Sequence, residues 1–332
     1  MGKILAVSFA LLTAVAYSQS VTSPTIQTSA TLIVVPTEVH TRSGELIYGL
    51  TASQFRLEDN GAPQRLHLDD ADTPQKLTVV VVIQCSRDAY RDETHTKSLG
   101  TMVDDLVGAA PRSIALVSFG NDPILIQDFT SDPTQIENAF ALVKPCREEE
   151  NNVILDAVDY ANRLLRDEPA ANSRKVILLV SETRDHGSQA NSSDVIAKLG
   201  TSNTVVESIS YGPAKSQLVY ELTDPSRNVI MHGHMNLMPL FAMSTEALRQ
   251  NVPHTLAELS GGQYKNFTTA KGFDKGLHDF TNQLHNEYRL SFQPSSVTAP
   301  GIHRLSVSVP SIPDAVVRAR LVYFSGQAPK SK

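Results

Sequence analysis

The hydrophobic pattern is organised around residues 77–86 (Leu-Thr-Val-Val-Val-Val-Ile-Gln-Cys-Ser), an apolar, β-branched run that stops abruptly at polar residues. The run has no polar face. It therefore predicts a central strand covered on both sides, as in a parallel sheet flanked by helices. Residues 175–182 repeat the pattern, and 113–119, 204–210 and 263–267 read as further strands. Residues 123–129 are a short strand led by Pro123, which suits an edge.

Between these runs the apolar spacing lengthens to helical periods. Helices are expected over 94–109, with Leu99, Met102, Val103, Leu106 and Val107 on one side, and over 133–143, with Asp132 as cap and Pro133 in the first turn. Others are expected over 153–166, 194–199, 240–259, where Pro253 should break or kink the helix, and 272–287. Residues 211–239 have little periodicity. Strand and helix thus alternate from 77 to 287, the pattern of a doubly wound sheet. Ligands of open α/β sheets sit beyond the carboxyl ends of the strands, so the segment Gln84-Cys85-Ser86-Arg87-Asp88 is the first candidate for a site.

The two ends of the chain read differently. Residues 30–39 predict a strand, 55–59 another that enters the Asn60-Gly61 hairpin signal, and 64–68 its return. Residues 287–293, 301–310 and 315–324 are strand-like and separated by Pro and Ser turns. The expected architecture is α/β: a doubly wound, mainly parallel sheet over 76–286, inserted in a small β-sandwich built from both termini, 28–75 and 287–326.

Composition narrows the function. Lys3, the apolar run 4–16 and the small residues around Ala16-Tyr17-Ser18 read as a signal peptide over 1–18, leaving Gln19 as the mature start. The run is short for a membrane span, so a secreted or periplasmic protein is expected, with no membrane insertion after signal removal. A net charge of −6 with no basic run argues against nucleic acid. Two cysteines, Cys85 and Cys146, suggest one disulfide in an exported chain, with two buried thiols as the alternative. No Gly-x-Ser-x-Gly, His-Glu-x-x-His, Gly-x-Gly-x-x-Gly or phosphate loop occurs, so no enzyme class is indicated. Glu148-Glu149-Glu150 reads as a solvated loop. The Met231-His232-Gly233-His234-Met235-Asn236-Leu237-Met238 stretch has side chains that suit copper, against the plainer reading of packing or solvent exposure. Asn191 and Asn266 head glycosylation acceptor triplets.

Residues 79–88 also resemble the first metal-site motif of von Willebrand factor A domains, a long apolar strand ending in Asp-x-Ser-x-Ser. Gln84 stands at the Asp position, Ser86 matches the first Ser, and Asp88 stands at the second. The layout is similar to that of secreted acidobacterial VWFA-related proteins. The residues carrying that likeness are Leu57-Glu58-Asp59-Asn60-Gly61-Ala62-Pro63-Gln64, Leu259-Ser260-Gly261-Gly262-Gln263-Tyr264, Glu287-Tyr288-Arg289-Leu290 and Val317-Arg318-Ala319-Arg320. In the resembled family a divalent cation is held by that loop, a Thr and a later Asp. Asn152 stands at the Thr position and Glu182 at the Asp position.

Only Ser86 is kept, so the resemblance implies a degenerate metal site and no cofactor. Mg²⁺ or Mn²⁺ on Ser86, Asp88 and Glu182 is the alternative, although Mg²⁺ tolerates misplaced ligands poorly. The resemblance also makes the loops of Cys85 and Cys146 neighbours. A bond between them would close roughly sixty residues, worth about 4 kcal/mol in the chain-entropy description. The function so implied is a secreted, non-enzymatic module that binds an extracellular or envelope protein through a rim of Gln84, Ser86, Asp88, Asn152 and Glu182. A metal-dependent adhesion domain is the alternative, and an enzyme of unknown type the third reading.

Overall fold

The structure, a computed structural model, describes residues 32–69, 76–86, 112–168, 173–211, 250–267, 272, 273, 275, 276, 278, 287–294 and 300–326. The expected signal peptide, Asp88, the helix over 94–109 and the Met/His stretch lie outside the described residues.

In chain order the first strands are β1 (Ile33–His40), β2 (Arg56–Asp59), β3 (Ala62–Gln64) and β4 (Leu66–Leu68). The α/β part follows with β5 (Leu77–Gln84), β6 (Arg112–Phe119), β7 (Pro123–Thr130), α1 (Pro133–Leu142), α2 (Ile154–Asp167), β8 (Arg174–Ser181), α3 (Ser192–Thr201), β9 (Val205–Tyr211), α4 (Val252–Ser260) and β10 (Tyr264–Phe267). The chain returns through β11 (Tyr288–Phe292), β12 (Gly301–Ser308), β13 (Val316–Ala319) and β14 (Val322–Ser325).

Six strands form one sheet in the order β10-β9-β8-β5-β6-β7. All neighbours are parallel except β6 and β7, and the Pro-led β7 occupies an edge as expected. Every residue of β5 is buried. Its alternating side chains serve two layers. Val79, Val81 and Ile83 pack with Leu116, Phe140 and Leu178 on one face, and Val80 and Val82 pack with Ile154, Ala157, Val158 and Leu165 on the other. The second set shows why α2 forms where it does: its buried residues recur at three and four and lie over the sheet.

The helix boundaries follow from their caps. Asp132 accepts from Thr134 N at 2.9 Å and starts α1. The helix is interrupted at Asn251, between the helical Gln250 and α4, as expected near Pro253. Pro253 sits in the first turn of α4, where its missing N–H costs nothing, and Asn251 caps that turn by accepting from His254 N at 3.1 Å. Of the helix expected over 272–287, the described residues 272, 273, 275, 276 and 278 are helical.

The terminal strands make two four-stranded antiparallel sheets, β13-β1-β11-β4 and β14-β12-β2-β3, each drawing on both ends of the chain. Their inward residues, among them Val35, Leu57, Leu290, Phe292, Leu305 and Tyr323, share one hydrophobic cluster. The Asn60-Gly61 turn joins β2 to β3 with positive φ at both residues, 49° and 82°, which is why Asn-Gly is found there.

Two expected strands are in fact each split between the sheets. The 64–68 strand divides at Arg65, with Gln64 pairing to β2 and Leu66 to β11. The 315–324 strand divides at Arg320. This residue is 1% exposed, and its guanidinium donates to Ser260 O, Asn203 Oδ1 and Thr204 O, so the chain changes sheets where the side chain is anchored.

A polar seam joins β1 to the six-stranded sheet. Gln263 Nε2 donates to both Glu38 oxygens at 3.0 Å, Gln263 N donates to Glu207 Oε2 at 2.6 Å, and Arg174 pairs with Glu287 at 2.8 Å. Burial pushes the Glu207 carboxyl up to about 8 and the Glu287 carboxyl up to about 7.

Candidate functional site

The parallel register sets Ile83 beside Val180 and Gln84 beside Phe119, so β5, β6 and β8 end together. The polar residues that stop the apolar runs meet there. Gln84 is buried, and both ends of its amide are used: Oε1 accepts from Glu182 N at 2.8 Å, and Nε2 donates to Ser86 O at 3.2 Å. Ser86 is also buried, and its hydroxyl donates to Asn151 O. Asn152 is fully buried. Its Nδ2 donates to Arg184 O at 2.8 Å, and its backbone exchanges hydrogen bonds with His186 at 2.9 Å. Of the expected rim residues, Gln84, Ser86, Asn152 and Glu182 therefore converge, but they tie the loops to one another: Gln84 holds the β8 loop, Ser86 the 151 loop, and Asn152 the 184–186 turn.

Covalent closure is added at the same point. Cys85 and Cys146 form a disulfide with Cα atoms 5.1 Å apart. Backbone bonds run beside it, from Cys85 N to Phe119 O and from Cys146 N to Cys85 O, both 2.8 Å. Asp185, just beyond Glu182, accepts from Leu155 N at 3.0 Å and so satisfies an orphan N–H in the first turn of α2. Asp156 in turn accepts from the backbone N–H groups of Gln189 and Ala190.

One residue of the rim departs from the sequence expectation. Glu149 was expected in a solvated loop. Instead it accepts a hydrogen bond from Asn121 N and lies over Gly120, where a Cβ would stand 2.1 Å from its carboxylate and 2.9 Å from Ser86 Cβ. Gly120 is thus needed for the close approach of that side chain. The available signal was the spacing Cys146-x-x-Glu149, which a tight turn brings to one side. Asn121, Asn151 and Asp185 were also missed, because each acts through a partner remote in sequence. The other rim charges are the exposed Asp122, Arg147, Glu148, Glu150 and Arg184 and the half-buried Glu182.

Magnesium-class ions need several oxygen ligands with at least one carboxylate well placed. The described residues do not fit that need. Gln84 offers only a neutral amide, whose oxygen already accepts from Glu182 N. Asn152 Oδ1 is the exception, being buried and without a hydrogen-bond partner.

No protein-family profile and no curated protein matches the chain. Several solved structures are similar in part. Proximal thread matrix protein 1 from the mussel byssus has a TM-score of 0.44 and 13% identity over 69% of this chain and 50% of its own. BatB from Bacteroides thetaiotaomicron has a TM-score of 0.43 and 12% identity over 63% of this chain and 98% of its own. A mutant of the PilB minor pilin from Streptococcus sanguinis has a TM-score of 0.42 and 14% identity, covering 65% and 63%. The chain spans about half the length of the mussel protein.

Proposed function

We propose that the chain is a non-enzymatic protein-binding module, an A-type domain carried on a β-sandwich of both termini, and that it is exported. Its binding face is the loop rim at the carboxyl ends of β5, β6 and β8. The observation that carries this reading is the internal cross-linking of the rim by Gln84, Ser86, Asn152 and the disulfide. A rim held in place this way needs no metal to define its shape, and a pre-formed surface loses little entropy on binding. The outward charge is mainly acidic, from Asp122, Glu148, Glu150 and Glu182 against Arg147 and Arg184, which suits a basic group on an extracellular or envelope protein. Export is supported by the leader-like residues 1–18 and by the disulfide.

The test is capture of envelope proteins by the immobilised mature chain, with and without a chelator, beside a Glu148→Lys/Glu182→Lys variant. Capture that survives chelation and is lost in the variant is expected. Capture abolished by chelation would favour the second reading, metal-dependent adhesion, which the unpartnered Asn152 Oδ1 supports.

A further inference from the structure

The disulfide and Glu149 together make a second kind of site. Among the described residues, Cys85, Cys146 and Glu149 are one group whose ligand atoms lie within 4.8 Å of one another. We propose that, once its disulfide is reduced, the rim holds a zinc-class ion through the Cys85 and Cys146 thiolates and the Glu149 carboxylate. This goes beyond the partner-binding reading and uses none of the strand-end oxygen positions of Gln84, Ser86 or Asn152.

The argument starts from what holds the three residues when no sulfur–sulfur bond is present. Cys85 N donates to Phe119 O and Cys146 N to Cys85 O, both at 2.8 Å, and Glu149 N donates to Cys146 O at 3.1 Å. Asn121 N donates to Glu149 Oε2, and Asn121 Oδ1 accepts from Asn151 N at 3.1 Å. None of these bonds involves a sulfur, so the ligand-bearing backbone stays in place when the disulfide opens. The Cys146-x-x-Glu149 turn puts a thiol and a carboxylate on one side of a short loop, and Cys85 comes to them from the end of β5. Zinc takes thiolate at about 2.3 Å and carboxylate at about 2.1 Å in a tetrahedral shell. At those lengths two thiolates stand about 3.8 Å apart, which rotation of the Cys146 side chain on its half-buried loop can provide. Asn121 N occupies Glu149 Oε2, leaving the second carboxylate oxygen to bind, and water completes the shell. Two thiolates and one carboxylate suit a borderline-soft divalent ion rather than Mg²⁺.

The chemistry balances with a dithiol as reductant. A dithiol thiolate attacks the more accessible Cys146 sulfur, and the Cys85 thiolate leaves; Cys85 is buried. The second dithiol sulfur then closes on the first and releases Cys146. The dithiol is oxidised to its disulfide by two electrons, and Cys85 and Cys146 are left as thiols. The metal binds with release of two protons, one from each thiol.

The test uses the full mature chain, reduced with a dithiol, desalted without oxygen, and titrated with Cd²⁺ or Co²⁺ as spectroscopic stand-ins for zinc. The expected result is a saturable 1:1 sulfur-to-metal charge-transfer absorption in the reduced protein and none in the oxidised protein. Bound metal should also protect both cysteines from alkylation. Glu149→Ala should keep the absorption and weaken affinity at least tenfold. Gly120→Ala, which keeps all three ligands but pushes the carboxylate aside, should weaken it in the same direction. No saturable absorption in the reduced protein overturns the proposal. So does unchanged affinity in both variants, or loss of the native circular dichroism on reduction alone.

Discussion

Glu207→Gln should stabilise the protein at pH 8 and flatten its dependence on pH. Glu207 is 1% exposed in the middle of β9, and its Oε2 accepts from Gln263 N at 2.6 Å. Desolvation is the largest reason its carboxyl is raised from 4.5 to about 8. The like charges of Glu287 and Glu38 add to it, while the Gln263 N–H and the Arg174 charge oppose it. Arg289, Arg318, Arg320 and His40 are further charged or titratable groups of the seam.

The folded state therefore keeps a proton that the unfolded chain releases. This contribution to stability is fully present below about pH 4.5, declines as pH rises, and is gone above about pH 8. At 1.36 kcal/mol for each pH unit of difference, the ceiling is about 5 kcal/mol. Glu287, raised to about 7 mainly by burial, adds a slope of the same sign that ends earlier. A glutamine keeps an acceptor for Gln263 N and cannot ionise. Urea unfolding followed by circular dichroism between about pH 5 and about pH 9 measures both effects. The native chain should lose stability across that range. The variant should lose less, and at about pH 8 it should be more stable by about 1–3 kcal/mol, allowing for an imperfect amide fit. If the variant is instead destabilised at about pH 8 with an unchanged slope, Glu207 is ionised in the fold and the argument fails.

Three further outcomes are expected from the same assay. Cys146→Ser opens a 61-residue separation and should cost about 4 kcal/mol, read as a lower urea midpoint with the fold retained. Gln84→Ala removes the acceptor of the part-buried Glu182 N–H and should cost about 1–2 kcal/mol; a neutral result would mean that water replaces the amide. Tyr323→Phe removes a donor at 2.7 Å from the buried Asp59 Oδ2 and should cost about 1–2 kcal/mol. Asp59 also meets His303 Nδ1 at 2.9 Å, so a double-mutant cycle with His303→Ala should show coupling.

The central sheet was legible because its signal is redundant. A strand buried on both faces must be apolar along its length, and 79–83 and 176–180 satisfy this without help from context. The edge strand was legible from Pro123, and the hairpin from Asn60-Gly61. The terminal strands were placed in sequence but not in pairing. Residues 64–68 and 315–324 each read as one continuous strand, and nothing local marks Arg65 or Arg320 as the point where the chain changes sheets. Arg320 does so because Ser260, Asn203 and Thr204, far away in sequence, supply the acceptors that let a guanidinium be buried. Pro253 signalled an interruption of the helix but not its place, which is Asn251. A proline inside an apolar-periodic stretch ends a helix or begins one, and the cap at Asn251 decides which.

At the candidate site, position was legible and orientation was not. The end of the apolar run marked Gln84 and Ser86, and the family resemblance grouped Asn152 and Glu182 with them. Whether those side chains look outward or inward depends on which loop backbone is left without partners. Gln84 carries both a donor and an acceptor, so it can satisfy Glu182 N and Ser86 O at once, which a carboxylate at the same place could not do. An amide at residue 84 thus lets the loops be hydrogen-bonded directly to one another. Glu149 follows the same logic in reverse. As part of an acidic run it looks solvated, but Gly120 leaves room for its carboxylate beside Ser86, and the Asn121 N–H draws it in. A single Cβ at residue 120 would return that carboxylate to solvent, so the shape of the rim depends on a glycine that carries no chemistry of its own.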